Sequence, residues 1–229
     1  MKKEISATYS DDRFELTIPA GFSYKEGTID TGYVIKDMDG NEYVRIPAGY
    51  NTEGTYVRGF WISRFEVSKG KDKTPQSKAN ETPWVDINYY DALTAAESIG
   101  AHLISKEEYG RICMWLVETG AATFEQVYVN GKDLGNYSRS SILAKTGSNP
   151  NWVCNNIYDF FGNGYTWTTE KSELYDHHRV IKGGHGMEFG SERCYPPSNR
   201  CWEKPNVCRS NITFRIVIHD NDGETEEKV

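Results

Sequence analysis

Between Ile157 and Thr168 the chain reads Ile-Tyr-Asp-Phe-Phe-Gly-Asn-Gly-Tyr-Thr-Trp-Thr, and no other stretch constrains the fold as much. Asp159, Gly162 and Asn163 are turn formers set among aromatic residues, so the segment reads as a tight turn closed by side-chain-to-backbone hydrogen bonds. Arg179-Val180-Ile181-Lys182 then runs into Gly183-Gly184, a pair that permits positive φ or close backbone approach at a strand end. Further on, Phe214, Ile216 and Ile218 alternate with Arg215, Val217 and His219. That alternation predicts a terminal strand with one apolar side turned to the core.

At 229 residues the chain is long enough for one compact domain with a real core. It carries 15 Tyr and 6 Trp, which suits a loop-rich fold whose short strands need large side chains to fill the interior, or a recognition surface. The net charge of −7 argues against a phosphate binder, which needs a basic stripe, so no nucleic-acid partner is expected. No stretch approaches the ~20 apolar residues of a membrane span, so no membrane insertion is expected. Met1-Lys2-Lys3-Glu4 begins charged and no apolar signal core follows, which points to the cytoplasm or to a virion. The odd cysteine count, Cys113, Cys154, Cys194, Cys201 and Cys208, argues against a complete disulfide framework. Cys113 reads as a small apolar residue inside a helix.

Ile18-Pro19-Ala20-Gly21-Phe22 is echoed at Ile46-Pro47-Ala48-Gly49-Tyr50, which predicts two similar strand-turn units. Two copies are too few for a solenoid. Between them, runs of branched and aromatic residues flank Asp39-Gly40 and predict a hairpin over 33–44. Ser68 to Thr82 reads as a polar loop. A first helix is expected near 89–99, capped by Asn88 or Asp91, and a second near 105–118, capped by Ser105 with Glu108 completing a capping box. Ile112, Cys113, Trp115, Leu116 and Val117 form its inward side. Residues 130–152 are Gly-, Ser- and Asn-rich and read as irregular. The expected division is an N-terminal extension or added strand over 1–30, one domain over 31–220, and a charged tail over 221–229.

The order of these blocks resembles the formylglycine-generating-enzyme (sulfatase-modifying factor) family, a branch of the C-type-lectin-like fold. Ile157 to Thr168 is similar to its LYDMxGNVWEWT block, Arg179 to Gly184 to RVxRGGSW, and Phe214-Arg215 to GFR. Upstream, Gly59 to Ser68 resembles the strand F.I...EVT, Thr82 to Ala92 resembles xPVxxVSWxDA, and His102 to Tyr109 resembles RLPTEAEW. The resemblance covers about 43–218. It implies an α+β fold with two helices, short and mostly antiparallel strands and much irregular loop, the domain's first and last strands lying side by side.

Enzymes of this family oxidise a substrate cysteine with copper held by two cysteines, for which soft sulfur is apt. The first of those cysteines falls at Glu188 here, and Cys194, Cys201 and Cys208 do not keep the spacing. Another branch binds iron through histidines of a separate helical domain, which has no counterpart here; His177-His178 and His185 are the clustered imidazoles. Family calcium sites use Asn and Glu oxygens in the GNVWEW block. Asn163 matches, but Thr166 replaces the Glu. No bound cofactor is therefore expected: copper is disfavoured, calcium is left as the open alternative, and no metal ligands are assigned.

What remains is the segment from His185 to Asn211, rich in Arg, Glu, Asn, Ser, Tyr, Trp and Pro and without hydrophobic periodicity. In the fold that the resemblance implies, this region is the exposed ligand face, and in several phage and bacterial proteins of that fold, including targets of diversity-generating retroelements, it varies. The reading is a non-enzymatic, variable-type binding protein without catalytic residues. It would contact a protein or glycan on a cell surface, in receptor or host recognition, through His185, Glu188, Phe189, Glu192, Tyr195, Asn199, Arg200, Trp202, Glu203, Lys204 and Asn206. The alternative is a copper-dependent oxidase acting on a cysteine of a protein substrate.

Overall fold

The structure, a computed structural model, describes residues 7–10, 15–137, 143–184, 197–198 and 200–219. Its centre is a six-stranded sheet with the order His102–Leu103, Ile216–Ile218, Phe60–Ser63, Glu42–Ile46, Val34–Asp37 and Phe22–Glu26. Every neighbouring pair in it is antiparallel. The hairpin between Val34–Asp37 and Glu42–Ile46 closes as expected: Gly40 at φ +82 donates to the Asp37 carbonyl, and the Asp37 carboxylate accepts from the Asn41 amide. A second sheet has the order Arg200–Glu203, Arg179–Lys182, Tyr165–Lys171, Ile212–Phe214, and only its last pair is parallel. Small antiparallel ladders join Ala7–Ser10 to Glu15–Ile18, Gly49–Tyr50 to Tyr56–Val57, Ser68–Lys69 to Pro75–Gln76, and Val153–Cys154 to Ile157–Tyr158.

Alternation along the central strands sends side chains into two separate cores. Tyr43, Trp61, Ile35 and Ile216 pack on one face with helix α1 (Tyr89–Glu97) and the second sheet, through Trp167, Ile181 and Phe214. Val44, Phe60, Ile62 and Val217 pack on the other face with α2 (Lys106–Glu118) and with Phe160 and Phe161. Both helices start where local chemistry dictates. The Asn88 side chain accepts from the Asp91 amide, and Ser105 and Glu108 form the reciprocal capping box. Burial of two or three branched or aromatic residues on each of the four middle strands supplies the main driving force.

Several expectations are corrected. The end of the chain is not one strand with a single apolar side. It breaks at Arg215, so that Ile212–Phe214 belongs to the second sheet and Ile216–Ile218 to the first; Val217, on the other face, is as buried as Ile216. The two Pro-Ala-Gly units do not fold alike: Phe22–Glu26 becomes the edge strand of the central sheet, whereas Gly49–Tyr50 makes a two-residue ladder held to α2 by Arg111, which donates to the Pro47 and Tyr50 carbonyls. The loop over 68–82 contains its own short ladder. A third helix, α3 (Phe124–Tyr128), follows a Thr123–Gln126 capping box. Among the described residues no helix is long and apolar enough to cross a membrane.

Candidate functional site

The turn at 157–164 is the hub of the scaffold. Asp159, Gly162 and Asn163 all have positive φ, at 57°, 82° and 63°. A Cβ at Gly162 would lie 2.6 Å from the Asn136 carbonyl oxygen, so both conformation and space demand glycine there. The side chains do not close the turn locally, as the sequence suggests, but reach distant loops. Asn163 accepts from the Asn136 side chain at 2.9 Å and from the Ala144 amide at 2.8 Å, and it donates to the buried Glu66 carboxylate. Glu66 also accepts from the Gly164 amide at 2.9 Å, and Asp159 accepts from the Gly147 amide at 2.7 Å. Arg215 is 1% exposed and donates to the carbonyls of Ser63 and Tyr158, with no direct ion pair among the described residues. Burial pushes the carboxyls of Glu66 and Asp159 above the usual range; the charge of Asp159 adds to the rise at Glu66, and Arg215 opposes both.

This hub fixes the second sheet, whose outer strand carries the candidate ligand face. Arg200–Glu203 is an edge strand despite the segment's lack of hydrophobic periodicity, and it pairs residue by residue with Arg179–Lys182. Cys201 turns inward against the core and lies 3.9 Å from the Tyr165 hydroxyl, while Trp202 turns outward and is 39% exposed. Trp202 lies against Tyr175, with ring centroids 5.1 Å apart, and Tyr175 in turn lies 5.5 Å from His178. Leu174, 73% exposed, extends the patch. The turn presenting Leu174 and Tyr175 is pre-formed: both amides donate to the Ser172 hydroxyl, and the Ser172 amide donates to the His178 carbonyl.

Charged groups border these aromatics. Arg200 pairs with Glu170, and Glu203 accepts from Arg209 at 2.8 Å. Glu170 has one buried oxygen without a hydrogen-bond partner among the described residues, and burial pushes its carboxyl upward. On the neighbouring strand Lys182 is 8% exposed, lies over the Tyr109 ring and donates to the Ser198 carbonyl at 3.5 Å; burial lowers its ammonium. Gly183, at φ +84, ends this strand; the nearest atoms to a Cβ there are 3.6 Å away, so conformation rather than space requires glycine.

Of the residues expected on the ligand face, Arg200, Trp202, Lys204 and Asn206 are exposed and Glu203 is half-buried. His185, Glu188, Phe189, Glu192, Tyr195 and Asn199 lie outside the described residues, as do Cys194 and the tail from 220. Sequence reading missed Leu174 and Tyr175, although a Ser172-initiated turn next to two apolar residues was a usable signal. The described residues do not assemble a thiolate pair for copper: Cys201 faces Tyr165, Cys208 is exposed, and Cys113 and Cys154 are buried thiols pushed up to about 12 by desolvation. Nor does Asn163 suit calcium, because its carbonyl oxygen is taken by two donors and Thr166 is buried. His177 is exposed, and the His178 ring packs on Tyr175.

The FGE-sulfatase pattern, described as the sulfatase-modifying factor enzyme 1-like domain, matches residues 12–220. The chain belongs to this family. No curated protein sequence matches it. Among solved structures it is similar to PvdO from Pseudomonas aeruginosa, at 18% identity and a TM-score of 0.57, over 86% of this chain and 100% of that one. It is similar to CarF at 15% identity and a TM-score of 0.55, over 79% and 98%. It is also similar to the M1 variant of the Major Tropism Determinant, at 11% identity and a TM-score of 0.50, over 81% of this chain and 64% of that one. At these identities the likeness is one of fold, and the fold is C-type-lectin-like.

Proposed function

We propose that this family member is a non-enzymatic binding protein that presents the Arg200–Glu203 edge strand and the Ser172–His178 turn to a protein or glycan on a cell surface. One observation carries the reading: two large aromatics, Trp202 and Tyr175, pack against each other at a tilt in the open, on a paired strand and a hydrogen-bonded turn. Exposed aromatic pairs with few degrees of freedom lose little entropy on binding and are typical anchors of recognition. Arg200, Lys204 and Asn206 add adaptable polar contacts at the rim, where charge tunes association rate more than affinity. The resemblance to retroelement-diversified phage and bacterial proteins, and a fold shared with a protein named for tropism, support host-surface recognition from a virion or a cell. On this reading the segment 185–215 is the variable part, and the neighbouring DNA is expected to carry a reverse transcriptase and a template repeat matching its codons.

The test is binding of the intact protein to glycan arrays and to whole bacterial cells, with Trp202→Ala and Tyr175→Ala beside the wild type. Each variant is expected to remain folded and to lose about 2 kcal/mol or more of binding. Copper-dependent oxidation of a peptide thiol by the wild type, abolished by Cys194→Ser, would instead establish the oxidase reading.

A further inference from the structure

Three side chains converge that no single stretch of sequence brings together. His102 lies on the short strand opposite Val217, and His219 follows the end of that partner strand, so the two are diagonal cross-strand neighbours. Their rings stack with centroids 4.9 Å apart and planes 16° from parallel. Both aim a ring nitrogen at one carboxylate oxygen: His102 Nε2 is 2.9 Å and His219 Nε2 3.5 Å from Glu108 Oε1. One donor atom from each of the three residues lies within 4.8 Å of the others. Glu108 is held in place from behind, because its second oxygen accepts from the Ser105 amide at 2.8 Å in the capping box.

We propose that His102, Glu108 and His219 form a binding site for a borderline divalent transition metal, with Zn²⁺ as the representative ion. Two imidazoles and one carboxylate are the donor set such ions prefer, whereas Ca²⁺ and Mg²⁺ require mostly oxygen ligands. Metal–donor bonds of about 2.0–2.2 Å in a tetrahedron place donors roughly 3.3–3.5 Å apart, so small side-chain rotations suffice from the distances seen here. The backbone bond to the other Glu108 oxygen is the outer support that metal-ligating carboxylates usually have. His102 is about one third and His219 about one half exposed at the side chain, so the fourth position opens to solvent and can take water or a ligand's donor group.

The experiment titrates the full-length, metal-free protein, with exposed thiols alkylated, against ZnSO₄ alone by calorimetry, and records X-ray absorption of the loaded sample. One Zn²⁺ per chain is expected, with nitrogen and oxygen ligands and no sulfur. His219→Ala, a change at an exposed residue, should weaken binding by more than about tenfold. Glu108→Gln should do the same while keeping α2, because glutamine also completes a capping box. Excess Ca²⁺ should not compete. Sulfur in the coordination shell, displacement by Ca²⁺, a Zn²⁺ affinity unchanged in both variants, or no stoichiometric binding by the wild type would each overturn the proposal.

Discussion

Asn163→Ala removes the side chain on which the scaffold of the ligand face turns. Asn163 is 1% exposed and makes four polar contacts: to Glu66, to the Asn136 amide, and to both the amide and the carbonyl of Ala144. Its loss leaves one oxygen of a buried carboxylate and up to three neutral groups without partners. Each orphaned buried group costs about 1–3 kcal/mol before relaxation, and shared contacts and local adjustment reduce the sum to about 3–6 kcal/mol. Asn163 also sits at φ +63°, where alanine is disfavoured by roughly 1 kcal/mol more than asparagine or glycine. Against a typical total of about 5–15 kcal/mol, the variant should be close to unfolding. Urea unfolding followed by the fluorescence of the buried Trp61, Trp115 and Trp167 measures it, with Asn163→Gly as the companion that relieves the φ cost alone. Glycine should unfold at slightly higher urea than alanine, and both far below the wild type. A loss under about 1 kcal/mol for Asn163→Ala would refute the hub.

The same hub predicts a pH dependence. Because the folded carboxyls of Glu66 and Asp159 lie above their ordinary values, their contribution is full below about pH 4–5 and is lost as pH rises through the folded values; chemical denaturation at a series of pH values should show wild type losing stability relative to Glu66→Gln as pH rises, and a gap constant with pH would contradict it. Ser105→Ala should cost about 1 kcal/mol by removing the cap of α2, read by thermal unfolding. With a thiol reagent on the native protein, Cys208 should react at once and Cys113 and Cys154 only on unfolding; native-state labelling of Cys113 would place it wrongly in the core.

What could be read from the sequence was what is decided locally. Asn88 and Ser105 cap their helices through residues three positions away, and Asp39-Gly40 closes a hairpin between adjacent strands, so a short window contains the whole cause. The Thr123–Gln126 box obeyed the same rule and was legible in principle, but α3 spans only five residues and carries little periodicity. Arg200–Glu203 could not be recognised as a strand, because only Cys201 packs on the core and the pairing that defines it is with Arg179–Lys182 across the 185–196 segment. Asn163 and its partners Glu66 and Asn136, and likewise His102 and His219, are joined only by the fold; nothing near either residue in sequence announces the contact.

The central claim is that the scaffold and the ligand face are separable. Pooled substitution of Leu174, Tyr175, Arg200, Trp202, Lys204 and Asn206, displayed on a cell and sorted once for folding and once for binding to glycan arrays and bacterial cells, tests it most directly. Most substitutions should leave folding intact, since these side chains are exposed and outside both cores, and changes at Trp202 and Tyr175 should dominate the loss of binding. If most of them unfold the domain, or if removing both aromatics leaves binding unchanged, this surface is not the ligand face.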